Sequence, residues 1–104
     1  MADLTRPDLF GYFTVKDSLA SAKAKAGCRR QLISFANREG YELKGIFTDL
    51  HSTGRARLDA LVVKARRDEV KTVAVLEGTD IPQVYAEQFV EAGIVVLTVP
   101  PSPP

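Results

Sequence analysis

The sequence has one cysteine, one histidine and no tryptophan among its 104 residues. Because Cys28 has no second cysteine in the chain, an intrachain disulfide is excluded, and we expect a reduced, cytoplasmic protein. No apolar run approaches the roughly 20 residues that a membrane helix needs. The first ten residues also lack the charged and then apolar order of a signal peptide. We therefore expect no contact with a membrane.

Lysine and arginine are missing from the last third of the chain, since none follows Lys71. The formal net charge of +1 hides two basic segments, 16–30 and 55–67, each with five basic residues against one acidic residue. Such segments are usually solvated helix faces, although an uneven charge distribution can also steer an anionic partner to one side.

The length and composition are those of one ordinary globular domain. Of the residues, 45% are hydrophobic and 26% are charged. A chain of this size buries enough surface for a single core. We expect one domain over 1–104, with an N-terminal extension over 1–8 and a proline-rich tail over 100–104.

Strand-like and helix-like stretches alternate along the chain, with four strands predicted over 10–15, 41–49, 72–76 and 94–99. Three amphipathic helices are predicted between them, with Gly40 and Gly93 ending the first and the third. The alternation predicts an α/β fold with an open parallel sheet and helices on both faces. In the second strand Tyr41, Leu43 and Phe47 occupy alternate positions.

The predicted strand order is 2-1-3-4. The first and third strands are apolar throughout and therefore suit central positions that are covered on both faces. The second strand carries Glu42 and Lys44, which are typical of a sheet edge. The fourth strand is also uniformly apolar and is expected to be buried.

Two aspartates follow predicted strands and have two interpretations. Asp49 and Asp80 could bind a metal, but two carboxylates without further ligand spacing favour helix capping instead. The same position after a strand makes Lys16 a candidate ligand contact at the crevice of an open sheet. We expect Lys16 to lie near a carboxylate of Asp49, Glu77 or Asp80.

Several segments together resemble the catalytic domain of the resolvase/invertase family of serine recombinases, over about residues 10–99. The family's first strand reads roughly Gly-Tyr-x-Arg-Val-Ser, and here residues 11–16 read GYFTVK. Further similar segments lie at 30–41, 47–58, 73–76 and 92–96. The resemblance implies a resolvase-like α/β sheet.

The departures from the family pattern concern its chemistry. Lys16 stands at the position of the family's nucleophilic serine, and Thr14 stands at the position of the strand's arginine. Cleavage needs a hydroxyl nucleophile and guanidinium groups that stabilise the charge on phosphate. Ser18 is interpreted as a helix cap rather than as a displaced nucleophile.

The family's second arginine-rich segment is also missing. Its Asp-Arg-x-x-Arg pattern is replaced by residues 76–82, LEGTDIP, and the last arginine of the chain is Arg67. Only Arg55 and Gln31 match family active-site positions. Together with Lys16 and Arg57, they are the candidate contacts for an anion or a partner.

The resemblance therefore predicts a recombinase-like domain without catalytic residues, which acts as a protein-interaction or regulatory module. We expect a protein partner or self-association, at most weak and non-specific DNA binding, and no metal or cofactor. The family's dimerisation helix and DNA-binding region do not follow the fourth predicted strand, so the usual family dimer is not expected. The alternatives are a small-molecule or nucleotide-binding domain using the crevice beside Lys16 and Arg55, and an enzyme with changed chemistry.

Overall fold

Seven elements alternate between strand and helix in the computed structural model, which describes residues 6–16 and 22–101. The elements are β1 (Asp8–Val15), α1 (Ala22–Glu39), β2 (Glu42–Leu50), α2 (Ala56–Asp68), β3 (Thr72–Leu76), α3 (Gln83–Glu91) and β4 (Val95–Val99). The predicted cap Ser18 lies outside the described residues.

The four strands form one parallel sheet in the order β2-β1-β3-β4, as predicted. The fold is thus α/β. β1 and β3 occupy the centre because their side chains are apolar at successive positions and need cover on both faces. β1 begins at Asp8, two residues before the predicted start.

The sheet separates two hydrophobic cores. On one face, α1 packs against β1 and β3, with Leu32, Phe35 and Ala36 contributed by the helix. On the other face, α2 and α3 pack over Phe10 and Tyr12. Helices therefore cover both faces, as the alternation of elements predicts.

Gly11 lets α1 pack closely on β1. A Cβ atom at position 11 would lie 2.9 Å from Leu32 Cδ1, and Leu32 is fully buried. Because a methyl group at that distance overlaps the leucine, a side chain at position 11 would displace the buried Leu32 side chain or the helix that carries it.

β2 contains a bulge that changes which side chains face which core. Leu9 pairs with Leu43, whereas the next residue, Phe10, pairs with Gly45. The extra residue, Lys44, shifts the alternation of side chains by one position. Leu43 therefore packs in the α1 core and Phe47 in the α2 core. The predicted placement of Tyr41, Leu43 and Phe47 along a single alternation was wrong for this reason.

β4 is not the buried strand that its composition suggests. Val95 is 57% exposed and Val96 is 38% exposed, and only Val99 is buried. The reason is its position at the sheet edge, where the nine-residue α3 and the distant α1 cover it incompletely.

The helix ends follow the predictions at two of three points. Gly40 and Gly93 have φ angles of +81° and +72°, the left-handed conformation that glycine adopts without strain at a helix C-terminus. Asp80 does not cap α3, because the helix begins later, after Pro82, and has no side-chain cap.

Candidate functional site

A buried carboxylate ties the carboxyl end of β2 to the first turn of α2. Asp49 is only 6% exposed. Its Oδ1 accepts a hydrogen bond from the backbone N–H of Arg57 at 3.1 Å, and its Oδ2 accepts one from Leu58 N–H at 3.2 Å. The Tyr12 hydroxyl donates a third hydrogen bond to Oδ2 at 2.8 Å.

This arrangement caps α2 from a neighbouring strand. The residue before the helix, Arg55, makes no side-chain cap, so the first free N–H groups of α2 need another acceptor. Asp49 supplies it, and its negative charge lies at the positive end of the helix dipole. The capping role predicted for Asp49 is confirmed.

Tyr12 serves this site as a hydrogen-bond donor. Burial raises the pKa of its phenol above the ordinary value, and the hydrogen bond to Asp49 raises the pKa further. Tyr12 therefore keeps its proton through the physiological pH range, which suits a structural donor rather than a general base.

Arg55 lies beside Tyr12 and Asp49 but takes no part in the hydrogen bonds of Asp49. Its Nη1 donates to the Thr53 carbonyl at 2.9 Å, whereas its buried Nε has no hydrogen-bond partner among the residues that the structure describes. The positive charge opposes the rise in the pKa of Tyr12 and of Tyr85, so the guanidinium lies near both phenols.

The side chain of Arg57 lies over the Phe47 ring, away from the Tyr12–Asp49 hydrogen bond. Its side chain is exposed, and the guanidinium carbon lies 5.9 Å from the centroid of the Phe47 ring. This is a cation–π contact on the outer surface of the α2 layer. Arg55 and Arg57 are therefore neighbours in sequence with separate surroundings.

A crevice of about 430 Å³ opens at the carboxyl ends of β1 and β3. It is lined by Thr14, Cys28, Gln31, Leu76, Glu77, Thr79 and Pro101. Of the four candidate contacts, Gln31 is part of this lining, beside Thr14 at the position of the family's arginine, whereas Lys16, Arg55 and Arg57 are not. Among the described residues of this lining the charged one is Glu77, and burial raises the pKa of the Cys28 thiol.

Lys16 is exposed directly after β1. The ion pairs among the described residues join Arg38 to Glu39 and join Lys64 and Arg67 to Asp68. Lys16 therefore has no carboxylate partner within 6–16 and 22–101, and the expected pairing with Asp49, Glu77 or Asp80 was wrong. Asp49 is unsuitable for that pairing because its oxygens already accept three hydrogen bonds inside the fold.

The basic residues of the two helices do not form one surface. Arg29 and Arg30 belong to α1, on one face of the sheet, and Arg66 and Arg67 belong to α2, on the other. Arg66 and Arg67 also lie at the opposite end of α2 from Arg55. A continuous footprint for a nucleic acid backbone is not assembled from these groups.

A second tyrosine–aspartate pair joins α2 to α3, the two helices on the same face of the sheet. The Tyr85 hydroxyl donates to Asp59 Oδ1 at 2.6 Å, and this hydrogen bond raises the pKa of Tyr85. The pair connects the first turn of α2 to the first turn of α3. Sequence reasoning missed both tyrosine pairs. For Tyr12 the available signal was a tyrosine within an apolar strand, since a buried hydroxyl requires a hydrogen-bond partner.

Apolar side chains are exposed mainly on the last helix and strand. Within the described residues, six large hydrophobic side chains are exposed. Three of them, which we name the α3–β4 surface, lie on α3 or on the face of β4 that α3 covers, namely Val84, Val90 and Val96. Val95 is also exposed, but it lies on the opposite face of the sheet, with Leu97 and Val99. The other two are Ile33 on α1 and Val63 on α2.

Across residues 6–16 and 22–101, no helix combines the length and the apolar character needed to cross a bilayer. The same residues contain no group of three or more histidine, cysteine, aspartate or glutamate side chains arranged to hold a metal ion. No protein-family model matches the chain, and no curated protein matches its sequence significantly.

Proposed function

We propose that this chain is a recombinase-like domain without strand-cleavage chemistry that acts in the cytoplasm as a protein-interaction module. The observation that carries the proposal is the α3–β4 surface, where Val90 is 78% exposed and Val96 is 38% exposed. Large apolar groups exposed on one side of a small domain are typical of protein-binding surfaces.

The free edge of the sheet supports this interpretation. β4 carries no charged residue and no proline, and within the described residues it pairs only with β3. The opposite edge, β2, carries Glu42 and Lys44 and contains the bulge, all of which discourage pairing with another chain. One edge is protected and the other is open to a partner.

The residues at the family's catalytic positions support the absence of cleavage chemistry. Lys16 replaces the serine, and a lysine amine does not form the phosphoserine bond to DNA. Glu77 follows β3, where the resemblance places an Asp-Arg pair. Its negative charge repels a phosphate rather than stabilising it.

The crevice supports a second candidate function, the binding of a small molecule or nucleotide. Thr14, Gln31 and Thr79 supply hydrogen-bonding groups beside the partly buried Cys28, at the position where open parallel sheets bind ligands. The described residues of the lining include no lysine or arginine, so the crevice suits a neutral polar small molecule better than the phosphate of a nucleotide.

Site-specific photo-cross-linking in the native host tests the interaction module. A photoreactive amino acid is placed at Val90 or Val96 and, as controls, at Asn37 on α1 and Thr14 in the crevice. We expect a small number of defined protein adducts from positions 90 and 96 and none from the controls. Mass spectrometry identifies the partner, either another protein or a second copy of the chain. Equal, diffuse labelling from all four positions would refute the proposed function.

A further inference from the structure

We propose that the partner of the interaction module includes a second copy of the chain, which packs its α2–α3 layer against the α2–α3 layer of the first. This inference rests on the proposed function and assigns a surface and a partner to it. The observations that support it are the charges and exposed apolar groups of α2 and α3 and the alignment of the two helices along their axes.

The outward face of α2 is basic with an apolar centre. One shallow depression is lined by Phe47 of β2, by Asp59, which accepts the hydrogen bond of Tyr85, and on the outward face by Ala60, Val63, Lys64 and Arg67. The spacing of these last four by three and four residues places them on one stripe of the helix. Val63 at the centre of the stripe is 64% exposed.

The outward face of α3 is acidic with a similar apolar centre. Gln83, Ala86, Glu87, Val90 and Glu91 line a second depression, again at helical spacing. Its exposed centre is Val90. The stripe contains no cation, because the chain has no lysine or arginine after Lys71. The two stripes therefore have opposite charge.

The first turns of the two helices lie side by side, at similar heights. Both follow a strand of the parallel sheet and return across the same face, so they run parallel to each other. The hydrogen bond between Tyr85 and Asp59 aligns their first turns. Ala60 and Ala86 each follow that pair by one residue. Val63 follows Asp59 by four residues and Val90 follows Tyr85 by five, so the two valines lie within about one helical turn, roughly 5.4 Å, of the same height.

A twofold axis parallel to the helices brings these stripes together. Rotation about this axis leaves the position of each residue along the helix direction unchanged and exchanges the left and right sides of the layer. As a result, α2 of each copy faces α3 of the other. Val63 then meets Val90 of the second copy, and Lys64 meets Glu91 of the second copy. The small residues Ala60 and Ala86 permit close approach of the helices at one end. The contact occurs twice and closes the assembly as a dimer.

The existing ion pairs of α2 do not prevent this contact. Lys64 and Arg67 pair with Asp68 at 3.5 Å and 3.3 Å on the same helix, and all three side chains are substantially exposed. Exposed pairs of this kind contribute little and exchange partners easily. In the dimer both cations can reach the acidic stripe of the second copy.

Charge reversal tests the arrangement. Lys64→Glu and Glu91→Lys each place like charges at both contacts, so each variant alone should weaken self-association about tenfold. Sedimentation equilibrium at low salt measures the dissociation constant, and circular dichroism confirms that the variants fold. Lys23→Glu, a matched reversal on the exposed start of α1, should leave the constant unchanged.

Mixing the two variants gives the decisive result. In a heterodimer of Lys64→Glu with Glu91→Lys, one contact joins the two substituted side chains and the other joins the native Lys64 and Glu91. Each contact thus pairs a positive with a negative side chain. The mixture should therefore restore the dimer, and native mass spectrometry should show the heterodimer in excess over both homodimers. The proposal would be overturned if neither charge reversal changed the dissociation constant while Val96→Lys abolished the dimer. That result would indicate pairing through β4. A monomer at all concentrations would also overturn the proposal, whereas cross-links from position 90 to a different protein would leave the proposed function standing.

Discussion

The Tyr12 hydroxyl and the Asp49 carboxylate, 37 positions apart in the chain, form a buried hydrogen bond of 2.8 Å. The bond joins a central strand to its neighbour, and the same carboxylate binds the first turn of α2. One side chain thus fixes the relative positions of two strands and a helix. The loss of either partner leaves buried polar groups without acceptors or donors, which is costly in a protein interior.

Tyr12→Phe should lower the free energy of unfolding at neutral pH by about 1 kcal/mol, because it removes one hydrogen bond and little volume. Since the pKa of Tyr12 is raised in the folded state, its contribution is fully present below about pH 10 and is lost as the pH rises further. The difference between wild type and variant should therefore shrink above about pH 10. Urea unfolding from about pH 7 to about pH 11 measures it. A difference that stays constant over this range would contradict the assignment.

Asp49→Ala should destabilise the fold by about 3 kcal/mol, because two backbone N–H groups and the Tyr12 hydroxyl lose their acceptor in a buried position. Asp59→Ala is the matched control, since Asp59 is exposed and binds a single hydroxyl. That variant should cost less than about 1 kcal/mol. Urea unfolding compares them, and equal losses would show that Asp49 does not carry the capping role described above.

Gly11→Ala should cost about 1–3 kcal/mol through overlap with Leu32. The substitution Leu32→Val removes part of the leucine that the new methyl group meets. The double variant should therefore lose less stability than the sum of the two single variants, with a coupling of at least about 0.5 kcal/mol. Strict additivity of the unfolding free energies would indicate that α1 shifts freely away from β1.

Much of the fold could be predicted from the sequence, because the signals involved are local. The apolar runs of β1 and β3 and the charged residues of β2 led to the strand order 2-1-3-4. The bulge at Lys44 and the exposure of Val95 and Val96 could not be predicted in this way. A bulge depends on how two strands pair, and the burial of an edge strand depends on how far the helices extend over it.

The candidate site was predictable only in part. A carboxylate directly after a strand favours capping, which holds for Asp49. The same reasoning was wrong for Asp80, because Pro82 sets the start of α3. The hydrogen bond of Tyr85 to Asp59 spans 26 positions and depends on the packing of two helices, which no local pattern records.

Binding to DNA should be weak, because the arginines of α1 and α2 lie on opposite faces of the sheet. We expect dissociation constants of roughly 10⁻⁴ to 10⁻⁶ M that weaken steeply with salt. Fluorescence anisotropy measures them. With supercoiled DNA we expect no covalent adduct, either for the wild type or for Lys16→Ser, since that variant still lacks the arginines implied by the resemblance. A phosphoserine adduct on the unmodified chain would refute this prediction.

The most direct test of an interaction module follows the amide signals of the ¹⁵N-labelled chain in an extract of its native host. The α3–β4 surface should lose signal intensity as a large partner binds, while the crevice residues Thr14, Gln31 and Thr79 should remain unchanged. Passing the extract through a membrane that retains macromolecules should abolish the effect. Shifts concentrated at the crevice that persist in the filtrate would show that the chain binds a small molecule, and would contradict the account.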